Sequence, residues 1–423
     1  MEKRYNSVVA ILAVLVGVGV VAWIYQLSTG LIATDMRNGF SWGLYIATWA
    51  FFVGTAAGGL VVSSAIYLFG AKQLKPIAKV ASLTAFLFAM GAMIILLPDI
   101  GRPDRLYYFL LHPNFKSMLP WDVIVLSGYA AVSAIYTYTL LYPDIVARGV
   151  AVPFIGVVGK RNVSEAELAR LREISDKRAK NLAPVALPLA ILIHTVTAWV
   201  LATQMARPWW YGGVLAPTFI AAALASGPAI VILASLVVYG YKEKLEGTYA
   251  LLAKVSAVAS VIMLFIYYND FVVRLWWNAG REFEALKLVF TRYPLFHATE
   301  VVFILLATII FIKYPKDPKK LVLGSISVVV GVFAHRILLL PPAYNNMPLR
   351  LPVMLHNETM EWSYPISVGQ VRGSLLHPQK IFMSFYDYFP SSVEIIITIG
   401  VMALLGLAFL GLMKMLPMRE SEQ

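Results

Sequence analysis

Residues 42–69 read WGLYIATWAFFVGTAAGGLVVSSAIYLF, a run of 28 residues that contains no Asp, Glu, Lys or Arg. An α-helix rises about 1.5 Å per residue, so about 20 apolar residues cross the roughly 30 Å hydrocarbon core of a bilayer. The run therefore predicts a transmembrane helix. Within it, Gly54 and Gly58 have the GxxxG spacing at which neighbouring helices approach closely. We interpret these glycines as packing residues, because no strand precedes them as a phosphate-binding loop would require.

The same pattern recurs along the rest of the 423-residue chain. The mean hydropathy is +0.73, 59% of the residues are hydrophobic, and the 14% that are charged cluster between the apolar runs. Such a composition is typical of helices solvated by lipid and excludes an ordinary soluble fold. The sequence predicts an all-α integral membrane protein, a single polytopic domain over 1–423 with about ten transmembrane helices. The nine further runs are 8–26, 77–97, 121–142, 182–201, 214–239, 251–268, 293–312, 321–340 and 391–413.

The basic residues predict how the chain lies in the membrane. With ten spans both termini lie on one side, and 22 of the 35 Lys and Arg residues fall in segments on that side, against 13 on the other. Because cytoplasmic loops carry the basic excess, we expect both termini in the cytoplasm. The net charge of +12 has the same explanation, so it indicates no nucleic-acid partner. No small-residue cleavage site follows the first run, so we expect a retained first span.

The chain has no cysteine, which excludes iron–sulfur ligation by thiolates, covalent haem attachment and disulfides. A b-type haem held between spans needs two axial histidines on facing helices at similar depth. His194, His297 and His335 are the histidines within predicted spans, and no span carries two of them. The pattern therefore disfavours haem in this chain.

Two connections between predicted spans are unusual. The cytoplasmic loop 143–181 contains Ser164-Glu165-Ala166-Glu167, a capping-box pattern followed by apolar residues at helical spacing, which predicts a short amphipathic surface helix. This helix is either a solvated connector or a docking site for a cytoplasmic partner. The outer loop 341–390 is about fifty residues long, which makes it a candidate lid or docking surface.

Ionisable side chains inside apolar spans are costly, so each is a candidate functional group. In this sequence they concentrate in the outer halves of the spans, and the inner halves have almost nothing comparable. His194 lies deep in an apolar span and is the hardest to explain structurally. Asp270 falls at the interface, where it can cap a helix. The outer polar set is His194, Asp270, His297, Glu300, His335 and Arg336, with Asp99, Arg102 and Asp104 just beyond the third span.

Other members of this polar set also have structural interpretations. Arg336 can snorkel to the interface with its charged head in water. Asp99 can form an ion pair with Arg102 that holds a turn. His297 and Glu300 lie three residues apart on one helix face, so they can satisfy each other.

The outer end of the third span carries a motif that resembles the signature loop of the NrfD/polysulfide-reductase membrane-subunit (PsrC-like) family. The resemblance covers most of residues 38–310 and the last span. Within the family, the chain is similar to the ten-span branch and most of all to DsrP, a membrane subunit associated with dissimilatory sulfur metabolism. The matching segments are Pro98-Asp99-Ile100-Gly101-Arg102-Pro103 with Arg105, His112-Pro113-Asn114-Phe115 and Trp121, then Trp42-Gly43-Leu44-Tyr45, Leu187-Pro188-Leu189 through His194-Thr195-Val196, Ala216-Pro217-Thr218-Phe219 and Tyr388-Phe389-Pro390-Ser391.

This resemblance implies two four-helix bundles with flanking spans, in a prokaryotic cytoplasmic membrane. It implies a pocket for menaquinone or another quinone near the outer face, and no haem or iron–sulfur cluster in this chain. It also implies a ferredoxin-like iron–sulfur partner at the outer face, among the subunits of a respiratory redox complex. One departure concerns His335-Arg336, where ten-span relatives often have a carboxylate–Arg pair. A carboxylate-based proton path through that helix is therefore not implied.

Together, the outward polar residues and the resemblance lead to a hypothesis for the site. A quinone headgroup has two carbonyl acceptors and exchanges two protons with its two electrons, so its pocket needs a His or Tyr donor and a nearby proton carrier. We expect His194 to be the principal donor and proton acceptor. The expected quinone-binding residues are His194, Trp42, Tyr45, Tyr129, Asp99 and Arg102, and the expected proton carriers are His297, Glu300 and Asp270.

Two other classes of protein remain open. A secondary transporter also has about ten spans and polar residues near the midplane, but the outward displacement of the polar layer and the lack of an internal repeat disfavour it. A structural anchor that docks soluble redox subunits and binds no quinone is the third possibility.

Overall fold

The structure is a computed structural model of the chain, and some segments fall outside its description. Most of the outer loop 341–390 lies outside the described residues, so its predicted role as a lid or docking surface stays a prediction. The described residues are 2–36, 40–148, 150–152, 156–158, 163–278, 280–345, 351–355, 358–362, 364–365, 382–383 and 388–418.

Helices make up most of the described chain. Within it, ten helices are long and apolar enough to cross a membrane, which confirms the predicted fold class and number of spans. These spans are α1, α2, α3, α5, α6, α7, α8, α10, α11 and α13. The helices are α1 Glu2–Thr29, α2 Leu44–Leu68, α3 Ala78–Asp99, α4 Leu106–Leu111, α5 Met118–Arg148, α6 Glu165–Ala202, α7 Leu215–Tyr239, α8 Glu246–Trp277, α9 Gly280–Thr291, α10 Pro294–Lys313, α11 Pro318–Leu338, α12 Pro341–Asn345 and α13 Ser392–Met415.

Short strands occur only in connections of the described chain, where they form antiparallel pairs. The pairs are β1 Val150–Val152 with β2 Gly156–Val158, β3 Leu351–Leu355 with β4 Glu358–Trp362, and β5 Tyr364–Pro365 with β6 Phe382–Met383.

The segment expected to form a separate surface helix is instead the first part of the fifth span. Helix α6 begins at Glu165, where the side chain of Ser164 accepts a hydrogen bond from the backbone N–H of Glu167, and continues without a break to Ala202. The capping pattern therefore marks the start of a helix, as predicted, but no stop signal follows it. The connection that remains between α5 and α6 is 149–164.

The ten spans form two four-helix bundles and a flanking pair, the arrangement that the family resemblance implied. In the first bundle α2 packs on α3 and α6, and α5 closes the ring against the same two helices. In the second, α7 and α10 each contact α8 and α11. Helices α1 and α13 pack on each other, and α13 contacts α3.

Glycines let helix α2 pack closely on α7 of the second bundle and on α3 of its own bundle. A Cβ built on Gly58 would lie 2.2 Å from the Cα atom of Gly227 in α7, and one built on Gly59 would lie 2.1 Å from the carbonyl oxygen of Ala81 in α3. No side chain fits at such a distance, so glycine is what allows the backbones to approach. These glycines therefore have the packing role that we expected from the sequence.

One side of the protein carries the connections that lie away from both ends of the chain, and we call it the distal face. These connections contact one another. The indole N–H of Trp210 donates to the carbonyl of Leu339 over 2.6 Å, and the guanidinium of Arg207 lies 4.6 Å from the ring centroid of Tyr344. The described parts of the distal connections include 30–36, 40–43, 100–117, 203–214, 280–293, 339–345 and 388–391.

Candidate functional site

His194 is the most isolated polar side chain of the first bundle. It lies on α6, about two turns from the distal end of the helix, and is 2% exposed. Neither ring nitrogen has a hydrogen-bond partner among the described residues. Leaving a buried donor or acceptor unsatisfied costs about 1–3 kcal/mol. An imidazole held in this way is suited to a ligand that brings its own hydrogen-bonding atoms.

A buried carboxylate that the sequence analysis missed lies close to His194 along the helix. The hydroxyl of Thr197, three residues after His194 on α6, donates to Oδ1 of Asp122 on α5 over 2.6 Å. Asp122 is 3% exposed. It is the second residue of the predicted span 121–142, and no sequence signal separates a boundary carboxylate that faces water from one that faces inward.

Arg336 does not snorkel, contrary to the structural interpretation of its sequence. Its side chain is fully buried, with the guanidinium carbon 3.7 Å from the ring centroid of Phe219. The guanidinium lies beside α2, since a Cβ on Gly54 would be in ordinary contact with Nη2 at 3.5 Å. The chain beyond α11 is also buried, since all five residues of α12 are enclosed, so Arg336 does not lie at a water-exposed helix end.

The guanidinium of Arg336 also lacks partners. Nε, Nη1 and Nη2 have no hydrogen-bond acceptor within the part of the chain that the structure describes. Its charge acts on His194 in the first bundle and on Glu300 in the second. Arg336 is therefore the charged group that lies between the polar residues of the two bundles.

Glu300 of α10 is the centre of a cluster in the second bundle. Oε1 lies 2.9 Å from Nδ1 of His335, and Oε2 lies 3.8 Å from Nδ1 of His297. Nε2 of His297 in turn lies 2.9 Å from the hydroxyl of Tyr268. The expectation that His297 and Glu300 satisfy each other is therefore incomplete, because the closer partner of Glu300 is His335 on α11. A carboxylate from α10 thus stands beside His335, although α11 itself has none at that position.

Asp270 forms an ion pair instead of capping a helix. Its carboxylate Oδ2 accepts from Nε of Arg274 over 2.7 Å, one turn later on α8. Arg274 also donates to the carbonyl of Pro208 over 3.1 Å and lies 5.4 Å from the ring centroid of Trp209. The pair therefore fastens the distal end of α8 to the connection between α6 and α7.

Tyr45 and Asp99 lie at the distal end of the first bundle. The hydroxyl of Tyr45 donates to Oε1 of Gln26 over 2.6 Å, and the amide of Gln26 donates to the carbonyl of Pro98 over 2.7 Å. Oδ1 of Asp99 is buried and has no hydrogen-bond partner among the residues described. Gln26, at the end of the first span, was another residue that the sequence gave no reason to select.

Arg102 does not pair with Asp99. It forms a two-point ion pair with Asp104, at 2.9 and 2.8 Å, and both side chains are exposed. The hydrogen bonds from Arg102 hold the pKa of Asp104 below its ordinary value. The salt-bridged turn expected in this loop therefore exists, but with a different carboxylate.

The two remaining expected residues have their polar groups or faces engaged. The hydroxyl of Tyr129 donates to the carbonyl of Ala56 over 2.7 Å, which tethers α5 to α2. Trp42 stacks on Trp210 with 5.8 Å between ring centroids. The hydroxyl of Tyr129 is thus used in a hydrogen bond to the backbone, and one face of Trp42 is covered by Trp210.

Glu394 of α13 is a further polar centre. It links the flanking pair of spans, α1 and α13, to the connection that precedes α2. Its buried carboxylate accepts from the backbone N–H groups of Asp35 and Ser391, each over 2.9 Å, and from the hydroxyl of Tyr388 over 2.5 Å. Burial, and then the neighbouring Glu394, raise the pKa of Tyr388 well above its ordinary value. These contacts hold the connection that precedes α2 against the start of α13 at the distal face.

Two cavities lie between helices of the described chain, and only the second is lined by polar residues of the site, Asp270, Arg274 and His335. An apolar one of about 120 Å³ lies between α1, α3 and α13, with Trp23, Pro98 and Val401 in its wall. A smaller one of about 50 Å³ lies between α7, α8 and α11, below Trp209 and beside His335. The first suits a hydrocarbon group, since an apolar cavity of about 150 Å³ is known to hold benzene. The second is the size of a few waters.

Fold and site together define an integral membrane protein with buried ionisable groups gathered near one membrane face. The family model described as polysulphide reductase, NrfD, matches residues 33–348. The chain belongs to this family, as the signature loop predicted.

Three relatives show the range of the family. The chain is 38% identical over 226 residues to a protein of Halobacterium salinarum named as a membrane subunit of dimethyl sulfoxide reductase, covering 53% of this chain and 50% of that relative. It is 25% identical over 355 residues, 81% of this chain and 83% of the relative, to a subunit of the selenate reductase of Mesobacillus selenatarsenatis. It is 31% identical over 130 residues, 31% of each chain, to the menaquinone reductase integral membrane subunit of Nitratidesulfovibrio vulgaris. The chain thus spans half the length of the first of these relatives.

Proposed function

We propose that the chain is the quinone-interacting membrane subunit of a respiratory reductase complex and exchanges electrons with an iron–sulfur partner at the distal face. Membership of the NrfD family supports the class, since relatives are named as membrane subunits of reductases and of a menaquinone reductase. The observation that carries the proposal is His194, a fully enclosed imidazole with both nitrogens unused among the described residues. The finer likeness to DsrP stays a prediction.

The residues present fit a quinone. When bound, a quinone supplies a couple of two electrons and two protons. His194 can donate from one ring nitrogen to a carbonyl oxygen and accept a proton at the other. Arg336 places a positive charge near the same position, which favours an oxygen that gains negative charge. Asp122 of α5, held by Thr197 one turn after His194 on α6, is a second proton acceptor.

The other expected ligands have more limited roles in this proposal. Tyr45 and Trp42 form the wall of the quinone site on its distal side. Asp99, whose Oδ1 is buried, supplies a carboxyl group through which a proton passes to the distal side. Tyr129 contributes its ring, because its hydroxyl holds Ala56. Arg102 contributes to the exposed loop above the site. His297, Glu300 and Asp270 belong to the second bundle, where the first two are proton carriers.

The distal loop between α3 and α5 is the proposed contact with the iron–sulfur partner. Soluble surfaces rarely expose contiguous apolar side chains, and a patch of this kind marks an interaction site. In this loop five apolar or aromatic side chains are more than half exposed. They are Tyr107, Tyr108, Leu110, Leu111 and Phe115.

In this proposal the distal face is the outer face of a prokaryotic cytoplasmic membrane, and both chain ends lie in the cytoplasm. The bias of the basic residues supports this orientation. A purely structural anchor remains the alternative that the experiment below must exclude, because an anchor needs the exposed loop but no buried imidazole.

The test is a fluorescence-quench titration of the purified chain, in detergent or nanodiscs, with a quinone-site inhibitor. We compare the wild type with His194→Ala and with Thr195→Ala, whose side chain is the next on α6 and bonds to its own helix at Ile191. We expect saturable one-site binding that weakens at least about tenfold in His194→Ala, roughly 1.4 kcal/mol, and stays unchanged in Thr195→Ala.

Each other result has a definite meaning. Binding that is equal in all three proteins would keep a quinone site but remove His194 from it. No saturable binding by folded wild-type protein, alone and with its partner subunit, would leave the structural anchor as the better account.

A further inference from the structure

His297, Glu300 and His335 form a chain of contacts in which each member keeps one unused polar atom. We call these three residues the triad. Nδ1 of His297, Oε2 of Glu300 and Nε2 of His335 are buried and have no hydrogen-bond partner in the described ranges. A purely structural cluster would use these atoms, because buried polar groups are almost always hydrogen-bonded. The unused atoms are the positions at which protons can enter, cross and leave the triad.

The cavity of about 50 Å³ connects the triad to the distal side. His335 and Tyr267 line it from within, and the connection 203–214 lines it from the distal side through Trp209 and its neighbours. One water needs about 10–15 Å³ and two to four polar partners. The indole Nε1 of Trp209 and Nε2 of His335 both lack protein partners among the described residues, so they can bind such waters.

We propose that the triad is a proton-binding site, separate from His194, which exchanges protons with the distal side through this cavity. A proton from distal water binds Nε2 of His335, and the proton on Nδ1 of the same ring moves along the 2.9 Å contact to Oε1 of Glu300. The triad gains one proton and one positive charge, and the reverse sequence returns the proton to distal water. No electron is transferred. The inference rests on the proton-carrier role that the proposed function gives His297 and Glu300, adds His335 and the distal route, and is tested without quinone.

The charges around Glu300 favour exchange over permanent protonation. Arg336 adjoins His335 on α11, and its positive charge favours an ionised Glu300 and opposes an added proton. Helix α9 presents an aromatic ring, since Phe290 lies 5.2 Å from His297. The titratable and charged groups that face the triad from the surrounding helices are Tyr267, Tyr268, Asp270 and Arg274 of α8 and Arg336 of α11.

The first experiment assigns the proton. The full chain in lipid nanodiscs is titrated with pH, and infrared difference spectra record the C=O stretch of protonated carboxyl groups. We expect a pH-dependent carboxyl band that disappears in Glu300→Gln and shifts its midpoint in His335→Gln. The matched control is Asp144→Asn, which removes a buried carboxylate bonded to Lys79 over 2.6 Å and should leave this band unchanged.

Circular dichroism establishes that each variant retains its helix content. If Glu300→Gln does not fold, His335→Gln and His297→Gln carry the assignment, because both alter the partners of the carboxylate without removing it. A band that is unchanged in all folded triad variants overturns the proposal. A band that Asp144→Asn removes overturns it as well.

The second experiment tests the route. Thr218 lines the cavity, so Thr218→Leu fills it and leaves the triad in place. We expect hydrogen–deuterium exchange of the carboxyl band to slow about tenfold or more, while Thr195→Leu, on the exposed side of α6, leaves the rate unchanged. Equal rates in the two variants refute the distal route. Since no quinone is added, this result and the inhibitor titration with His194→Ala succeed or fail independently.

Discussion

Substituting Gly58 by Ala tests the junction between the two bundles. The added Cβ would lie 2.2 Å from the Cα atom of Gly227. Carbon atoms in contact are about 3.5–4.0 Å apart, so α2 and α7 would have to separate by about 1.5 Å. Overpacking of this kind costs about 1–3 kcal/mol, and the better helix propensity of Ala returns about 0.5–1 kcal/mol. We therefore expect a net loss of about 1–2 kcal/mol in the free energy of unfolding.

The matched control is Gly128→Ala on α5, where an added Cβ meets nothing within 4 Å. Helix propensity alone then acts, so we expect this variant to be as stable as the wild type or more stable by up to about 1 kcal/mol. Both variants are unfolded by titrating the protein from mixed micelles into SDS, with tryptophan fluorescence as the readout. If Gly58→Ala is as stable as Gly128→Ala, the bundles are not held at backbone contact and the reasoning is refuted.

Further predictions concern polar groups outside the junction. Glu394→Ala leaves three donors without their acceptor, at about 1–3 kcal/mol each, so the same SDS titration should show a loss of at least about 3 kcal/mol. A loss under about 1 kcal/mol would mean that water replaces the carboxylate. Tyr129→Phe removes one hydrogen bond to Ala56 and should cost about 0.5–1.5 kcal/mol, with inhibitor affinity changed less than about threefold; a larger change would make the hydroxyl a ligand. Arg102 lowers the pKa of Asp104, so their ion pair stabilises the loop above the ordinary Asp pKa and is lost as pH falls through the lowered one. In Arg102→Ala, carboxyl NMR should show that pKa return upward, and an unchanged pKa would contradict the pair.

Hydropathy was sufficient to predict the ten spans because the length and composition of each are set by the bilayer and not by neighbouring helices. The continuous helix α6 was not predictable in the same way. Pro184 and Pro188 lie inside it, and in a soluble protein they would argue for a break. Within a membrane assembly, neighbouring helices and side chains can satisfy the backbone groups that proline frees. The capping pattern at Ser164 therefore identified the start of a helix but not its length.

The sequence predicted how far along its span each candidate residue lies, but not which residues contact one another. The concentration of His194, His297 and Glu300 towards the distal ends of their spans follows from counting residues along each span. Their partners do not, because the partner of Glu300 is supplied by α11 and the carboxylate near His194 by α5. Sequence spacing within one helix reports only contacts at three and four residues. Contacts between helices depend on how the bundles pack.

Arg336 shows how packing and charge depend on each other in this protein. The guanidinium lies beside Gly54 of α2, and one turn later on the same helix Gly58 is in backbone contact with Gly227 of α7. One helix, α2, thus sets both the distance between the bundles and the place of the buried charge. His194 and Glu300 both lie within range of that charge. A change in protonation on one side of the junction therefore alters the electrostatic free energy on the other, without any movement of a helix.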